Sequence, residues 1–256
     1  MKLVIIVLLK KKAAIVTGSN RGIGKATVEL FAEHGADVWA CARQPNEKFE
    51  ADLRQLAVRC GVTITPVYFD LADQAQIKAG MNTILAERRA VDILVNNAGV
   101  VAESRLFQMT TIQTMEDVFQ INFFAPMLVT QYVSRQMTKQ KSGSIINIAS
   151  VAGLDGDPAQ VEYVASKAAL IGATRKLASE LGVAGIRVNA VAPGLTETDM
   201  VGHMNPDMMR ATLARTTMQR LGKPSEIAAV VLFLASELSA FVTGQIIRAD
   251  GGMKGT

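Results

Sequence analysis

Three side chains in one short stretch can do proton chemistry: the hydroxyl of Ser150, the phenol of Tyr163 and the amine of Lys167. Tyr163 and Lys167 fall within Val161–Leu181, a run rich in Ala, Leu, Lys and Glu and free of Pro, which predicts a helix. Residues four apart on a helix share a face about one turn apart, so phenol and amine project together. A free tyrosine titrates near pKa ~10, too high to exchange protons readily at neutral pH. A neighbouring ammonium favours the phenolate and lowers that value. A general acid or base works best with a pKa near the operating pH. Tyr-x-x-x-Lys is therefore a pattern that can turn a phenol into a proton donor and acceptor. The same spacing arises by chance on many helices, so its meaning depends on the rest of the chain.

The elements that must hold these groups are legible as alternating runs. Apolar, β-branched runs of strand length occur at Ala13–Thr17, Asp37–Cys41, Thr63–Phe69, Asp92–Asn96, Ser144–Ala149, Arg187–Val191 and Gln245–Arg248. Helix-length runs fall between and after them, at Gly22–His34, Glu47–Cys60, Gln74–Arg88, Met115–Thr138, Val161–Leu181, Pro206–Arg215 and Ser225–Ser236. Strands alternating with helices mean an α/β fold whose parallel sheet is covered on both faces. The seven strand-length runs make one doubly wound sheet, and no linker, composition shift, repeat or low-complexity tract argues for a second domain.

The first strand runs directly into Gly18, Ser19, Asn20, Arg21, Gly22, Ile23 and Gly24, and a helix follows. In such a fold, ligands bind outside the carboxyl ends of the strands. Glycines let the backbone approach a pyrophosphate, and the helix start presents free N–H groups. The spacing is G-x-x-x-G-x-G rather than G-x-G-x-x-G, but its place between first strand and first helix is where a dinucleotide motif has meaning. An NAD site usually carries Asp or Glu at the end of the second strand, to bind the ribose 2′-hydroxyl. Here Ala42 and Arg43 stand there. Arg43 and Arg21 suit a 2′-phosphate, so NADPH is expected over NADH.

Composition sets bounds on function. The 256 residues are 49% hydrophobic and 20% charged, enough for a sizeable core. The net charge of +4 is scattered, with no Lys/Arg stripe interleaved with aromatics, so nucleic acid is not an expected partner. Cys41 and Cys60 lack metal or redox spacing, and His34 and His203 are isolated, so no catalytic metal is expected. The apolar run Leu3–Leu9 is too short to span a bilayer, and three lysines follow it where a signal peptide would have a cleavage site. Residues 1–11 read as an extension that adds a strand or reflects the choice of start site, on a cytoplasmic protein with no membrane contact.

Thr17-Gly18-x3-Gly22-x-Gly24, Asn96-Asn97-Ala98-Gly99, Asn122, Ser150, Tyr163-x3-Lys167 and Pro193-Gly194 occur in that order. Together they resemble the short-chain dehydrogenase/reductase family over roughly residues 12–253. Within it, Val191–Met200, Phe241–Gln245 and Asp250–Met253 are most similar to the bacterial 3-oxoacyl-[acyl-carrier-protein] reductases, in wording shared with relatives that have other substrates. The resemblance implies a single Rossmann-type catalytic domain over residues 12–256 that uses NADP(H). It implies that Tyr163 is the general acid, that Lys167 lowers its pKa and binds the nicotinamide ribose, and that Ser150 orients the substrate carbonyl. Asn122 is implied to hold a water connecting Lys167 to solvent. Asn97 and Gly99 are implied to line the adenosine half with Asp70 and Leu71 near the adenine, and Pro193, Gly194, Thr196 and Thr198 to lie by the nicotinamide amide.

The substrate is less defined. Leu195–Arg220 is expected to form a lid whose methionines (Met200, Met204, Met208, Met209 and Met218) suit a variable acyl chain. Lys141 stands where these reductases carry a basic residue, but Ala184 stands where many carry an arginine. The resemblance thus implies an acyl thioester and acyl carrier protein, with a small ketone, secondary alcohol or sugar-type substrate as the alternative. A non-catalytic dinucleotide sensor on this fold would be expected to lack Tyr163 or Lys167, and both are present. The family resemblance also implies a homotetramer joined through the helices around Asn122 and Tyr163 and the C-terminal strand.

Overall fold

Successive residues of the central strands feed opposite faces of one sheet, and this pattern builds the fold. Val16, Val95 and Ile146 pack on one side with Val28, Phe31 and Val231. Their neighbours Ile15, Leu94 and Ile145 pack on the other with Ile77, Met81, Val129 and Val133. Because both faces are covered, the strands read as nearly unbroken apolar runs. A fully buried side chain such as Phe31 contributes roughly 1.5–3 kcal/mol.

The computed structural model describes residues 7–87, 89–103, 105–156, 160–198 and 206–253. In chain order these form β1 (Ala13–Thr17), α1 (Gly22–Glu33), β2 (Asp37–Ala42), α2 (Glu47–Cys60), β3 (Ile64–Tyr68), α3 (Gln74–Ala86) and β4 (Ile93–Asn96). There follow α4 (Ile112–Phe119), a π-helical turn (Gln120–Phe124), α5 (Ala125–Gln140), β5 (Gly143–Ile148), α6 (Ala152–Asp155), α7 (Val161–Leu181) and β6 (Ile186–Pro193). The last elements are α8 (Pro206–Ala214), α9 (Pro224–Ala235) and β7 (Ile246–Ala249).

The sheet has seven strands in the order β3-β2-β1-β4-β5-β6-β7, all parallel. The order reverses between β1 and β4. That switch point opens a crevice at the carboxyl ends, where the loops after β1, β4, β5 and β6 gather.

Two expectations need correction. The helical region expected at Met115–Thr138 begins earlier, at Ile112, because the Thr111 side chain accepts from Thr114 N. It also changes pitch to a π turn at Gln120–Phe124 before continuing as α5. The described part of the N-terminal extension, from Val7, adds no strand. It turns back on α1: Leu9 N donates to His34 O at 3.0 Å and the Leu9 side chain is fully buried.

Candidate active site

The Gly-rich loop takes its shape from contacts that exclude side chains. Gly18 has φ +67°, and a Cβ there would lie 2.9 Å from Ala98 Cα. At Gly24 a Cβ would lie 2.1 Å from Gly18 O, so only glycine lets α1 start this close to the loop. The α1 N-cap, Arg21, is extended and makes no side-chain cap bond. The first-turn N–H groups of this 12-residue helix are thus presented to the loop, a donor set that suits a phosphate. Asn20, Arg21 and Arg43 are exposed, while Gly22 and Ile23 are partly so. Ser19, unlike its neighbours, is fully buried: its Oγ donates to Val16 O at 2.6 Å and its N–H donates to Cys41 O at 3.0 Å. These bonds brace the loop against the ends of β1 and β2.

A second loop is locked to the first. Thr17 Oγ1 accepts from Asn97 N at 3.0 Å and Ala98 N at 3.1 Å. Asn97 Nδ2 donates to Thr17 O at 2.9 Å and Gly18 O at 3.1 Å. Gly99 sits further along, where a Cβ would lie 3.3 Å from both Lys167 Nζ and Asn122 Oδ1. Gly99 is thus part of the wall around Lys167. Asp70 and Leu71 lie just past the end of β3. Asp70 Oδ1 accepts from Ala72 N at 2.9 Å, and Leu71 O accepts from Gln120 Nε2 at 3.2 Å.

The loop after β6 closes the other side. Pro193 ends the strand, and Gly194 N donates to Ala249 O at 3.1 Å. Thr196 Oγ1 donates to Gly194 O at 3.1 Å, and Thr198 Oγ1 to Thr196 O at 3.3 Å. The methyl of Thr198 reaches the Gly-rich loop, 3.2 Å from where a Gly22 Cβ would be. Within the expected lid, Met200 and Met204 lie outside the described residues, as does the side chain of Met208. Met209 is partly exposed and Met218 is exposed.

The proton-handling residues meet beyond β5. The Ser150 hydroxyl lies near enough to the Tyr163 phenol to pull its pKa down, and Ser150 Oγ accepts from Ala152 N at 3.2 Å. Lys167 is 4% exposed and donates from Nζ to Ile148 O at 2.8 Å. Its Nζ stands 5.8 Å from the centre of the Tyr163 ring. Asn122, in the π turn, is fully buried. Its Oδ1 accepts from Val100 N at 2.8 Å, and its Nδ2 donates to Val100 O at 2.9 Å and Ser166 Oγ at 3.1 Å. It thereby staples the loop after β4 to α7.

Burial sets the titration of this group. It pushes the Tyr163 phenol above its usual value, with the nearby Ser150 hydroxyl pulling the other way. It lowers Lys167 to about 8. The sequence led us to expect a phenol with a lowered pKa, and the chain alone does not show one. The reason is that removal of water disfavours the charged form of both groups. Tyr163 is therefore a protonated donor at neutral pH, beside an amine that can change charge near pH 8.

Sequence reasoning missed Ser166 and Gly153, and read Thr17 only as the start of the Gly-rich motif, without a role. The Thr17 and Ser166 hydroxyls hold the loops. Gly153 lets α6 pack against α7, since a Cβ there would lie 2.8 Å from Lys167 C. Among the described residues no group of three or more His, Cys, Asp or Glu could hold a metal ion. Burial pushes the Cys41 thiol up, which makes it inert. Among the described residues no helix is long and apolar enough to cross a membrane.

Comparison with known proteins agrees with this geometry. The profile of a family described as "Enoyl-(Acyl carrier protein) reductase" matches residues 11–254. The chain is 39% identical to the 3-oxoacyl-[acyl-carrier-protein] reductase FabG of Chlamydia muridarum, across 96% of this chain and 98% of that protein. It is 40% identical to the FabG of Thermotoga maritima, with the same coverage. A solved structure assigned to an NAD(P)-dependent gluconate 5-dehydrogenase of Beutenbergia cavernae, with NADP bound at low occupancy, superposes with a TM-score of 0.89. It is 33% identical over 96% of this chain and 98% of that one. A structure assigned to a short-chain alcohol dehydrogenase of Sinorhizobium meliloti gives the same TM-score, identity and coverage. With the Gly-rich loop, the Ser150–Tyr163–Lys167 group and a family match over nearly its whole length, the chain belongs to the short-chain dehydrogenase/reductase family.

Proposed function

We propose that this chain is an NADPH-dependent carbonyl reductase that converts a 3-oxoacyl thioester to the 3-hydroxyacyl thioester. The observation that carries the reading is the half-buried, protonated Tyr163 with the Ser150 hydroxyl beside it and Lys167 one helical turn away. Its substrate class is drawn from the similarity to the two FabG proteins.

The site residues suit NADPH. The α1 start and Gly18–Gly24 would hold the pyrophosphate. Arg43 and Arg21 would meet the 2′-phosphate, with no carboxylate at Ala42 to repel it. Asp70 and Leu71 would border the adenine, and Pro193, Gly194, Thr196 and Thr198 the nicotinamide. When bound, the cofactor supplies a hydride to the carbonyl carbon.

The chain's own residues do the rest. Ser150 donates to the substrate carbonyl oxygen and orients it. As that oxygen gains negative charge, Tyr163 Oη gives it a proton in a site that excludes water. Lys167 in its ammonium form stabilises the resulting phenolate. Asn122 fixes the Val100 loop beside Lys167 and helps hold the water through which the phenolate regains its proton.

Delivery on acyl carrier protein is part of this proposal, but Lys141 does not strengthen it. Lys141 caps the end of α5 in a left-handed conformation, φ +56°, just before the amino end of β5. The Ala184–Gly185 turn abuts it, since a Gly185 Cβ would lie 2.4 Å from Lys141 O. Both positions are at the opposite end of β5 from Ser150, roughly 20 Å away along the strand. The gluconate and alcohol dehydrogenases among the solved structures keep a second reading in view, reduction of a small ketone or sugar-type substrate. We also propose a cytoplasmic homotetramer. Phe119, Phe123 and Phe124 cluster beside the π turn with Phe124 52% exposed, which supports association through these helices.

The test is NADPH absorbance with an acetoacetyl thioester, against NADH and a panel of free ketones and sugars. Selective oxidation of NADPH by the thioester is expected. Turnover only with a free ketone or sugar would move the substrate to the second reading, and light scattering would check the tetramer.

A further inference from the structure

Arg248 has no place in the chemistry above, yet it sits where three walls of the site meet. It lies in the edge strand β7, opposite Ala192 near the end of β6. Its Nη1 and Nη2 donate to the two Asp155 carboxylate oxygens at 2.7 Å each. Its Nε donates to Asp250 Oδ2 at 2.8 Å, and Nη2 also reaches Met253 O at 3.3 Å. The Asp155 and Asp250 side chains are only 12% and 7% exposed. A two-pronged guanidinium bond of this kind fixes orientation as well as distance, which an ammonium cannot do.

Each partner belongs to a different wall. Asp155 ends α6, the short helix that begins two residues past Ser150 and packs through Gly153 against the backbone of Lys167. Asp250 lies against the Pro193–Gly194 turn, where a Gly194 Cβ would be 2.9 Å from Asp250 Cα. Asp250 Oδ1 accepts from Gly252 N at 3.0 Å. Gly251 O and Gly252 O then accept from Met218 N at 3.0 Å and Thr217 N at 3.2 Å, the segment that returns from α8. Thr216 completes this junction by bridging to Met253.

We infer that Arg248 is a positioning residue that locks the Ser150 loop, the Pro193–Gly194 turn and the base of the α8 segment into one unit, through Asp155 and Asp250. It touches none of the reacting atoms. It sets where Ser150 Oγ stands relative to Tyr163, and it makes α6 and the α8 base move together. This inference rests on the carbonyl-reduction reading for its effect on rate, but its structural half does not.

Two readouts test it on the full chain. The first is hydrogen exchange with NADPH present, comparing wild type, Arg248→Lys, Arg248→Gln, Asp155→Asn and the double Asp155→Asn/Arg248→Gln. Exchange at Leu154 and Asp155 in α6 and at Thr217 and Met218 is expected to quicken together, about tenfold, in every variant, with β1 and α9 unchanged. The second is kcat and KM, measured well below the unfolding temperature, for any carbonyl that the wild type reduces. Arg248→Gln is expected to lower kcat/KM about 30-fold or more, since misplacement of about 1 Å can cost roughly a hundredfold. NADPH affinity should change less than about threefold. Arg248→Lys should recover thermal stability but not kcat/KM, and the double variant should lose no more than the worse single one. Exchange confined to one of the two segments, or wild-type kcat/KM in Arg248→Gln, would overturn the inference. A wild type inactive on thioesters would count against the substrate reading alone, and the exchange result would still decide the locking role.

Discussion

Lys167 holds its ammonium nitrogen 5.8 Å from the centre of the Tyr163 ring, tethered there by the Ile148 carbonyl at 2.8 Å. In the proposed reduction this pair would divide the work. Tyr163, raised by burial, carries the proton to be given away. Lys167, lowered to about 8, supplies the charge that makes giving it away favourable.

This division has a pH signature. Reduction needs both Tyr163 and Lys167 protonated. kcat/KM is expected to be flat through neutrality and to fall as pH rises through about 8, where Lys167 loses its proton. A profile that stays flat to pH 10 would remove Lys167 from this role.

Stability should respond to the same group in the opposite sense. Unfolded Lys titrates near ~10.4, against about 8 in the fold. Below pH 8 it is charged in both states and its burial cost is fully present. Between about 8 and 10.4 the unfolded state binds more protons, so stability rises with pH. Relative to Lys167→Met, wild type is expected to gain on the order of 3 kcal/mol at most across that window. Denaturant melts at pH 7 and pH 10 measure it, and a gap that does not change with pH would contradict the buried ammonium.

Tyr163→Phe removes one oxygen and keeps the ring in place. NADPH binding, followed by fluorescence, is expected to remain, while turnover drops by roughly 10²–10⁴-fold. Near-normal turnover in this variant would refute Tyr163 as the acid.

Cofactor choice should follow Arg43. Arg43→Asp is expected to shift the ratio of kcat/KM values for NADPH and NADH toward NADH by at least about tenfold, since it replaces a phosphate partner with a carboxylate. An unchanged ratio would assign the preference elsewhere.

Gly24→Ala tests the loop itself. Its Cβ would lie 2.1 Å from Gly18 O, so α1 must back away from the loop. Destabilisation of about 1–3 kcal/mol is expected, with NADPH affinity lost as well. Wild-type melting and binding would show that the loop is more compliant than its contacts indicate.

The sheet was legible because its physics is local. Ala13–Thr17 and Val161–Leu181 have the bounds expected from their runs, since β-branched apolar residues and an Ala/Leu-rich stretch leave few alternatives. Tyr163 and Lys167 were legible as a pair because helical spacing puts them on one face, but the role of the pair and of Ser150 came from the ordered set of motifs along the chain. What was hidden depended on contacts across long sequence separations. Nothing local announces that Thr17 binds the loop after β4, or that Arg248 meets Asp155, 93 residues away. The Tyr163 pKa was misjudged for a related reason: the sequence shows the neighbouring charge but not how little water reaches the pair.

The π turn at Gln120–Phe124 fixes the length of its helix to the residue. Each residue added to or removed from a helix rotates everything beyond it by about 100°. Asn122 must meet Val100 and Ser166, while Thr130 on α5 must meet Asn96, where Nδ2 donates to its Oγ1 at 3.0 Å. Both faces are satisfied only with the wider turn between them. A single-residue deletion at Gln120–Phe124, harmless by length in a surface loop, would here turn α4 away from α7 or pull α5 off the sheet. Natural variation in this protein should therefore tolerate exchange of side chains along α4 and α5 far better than any change in their residue count.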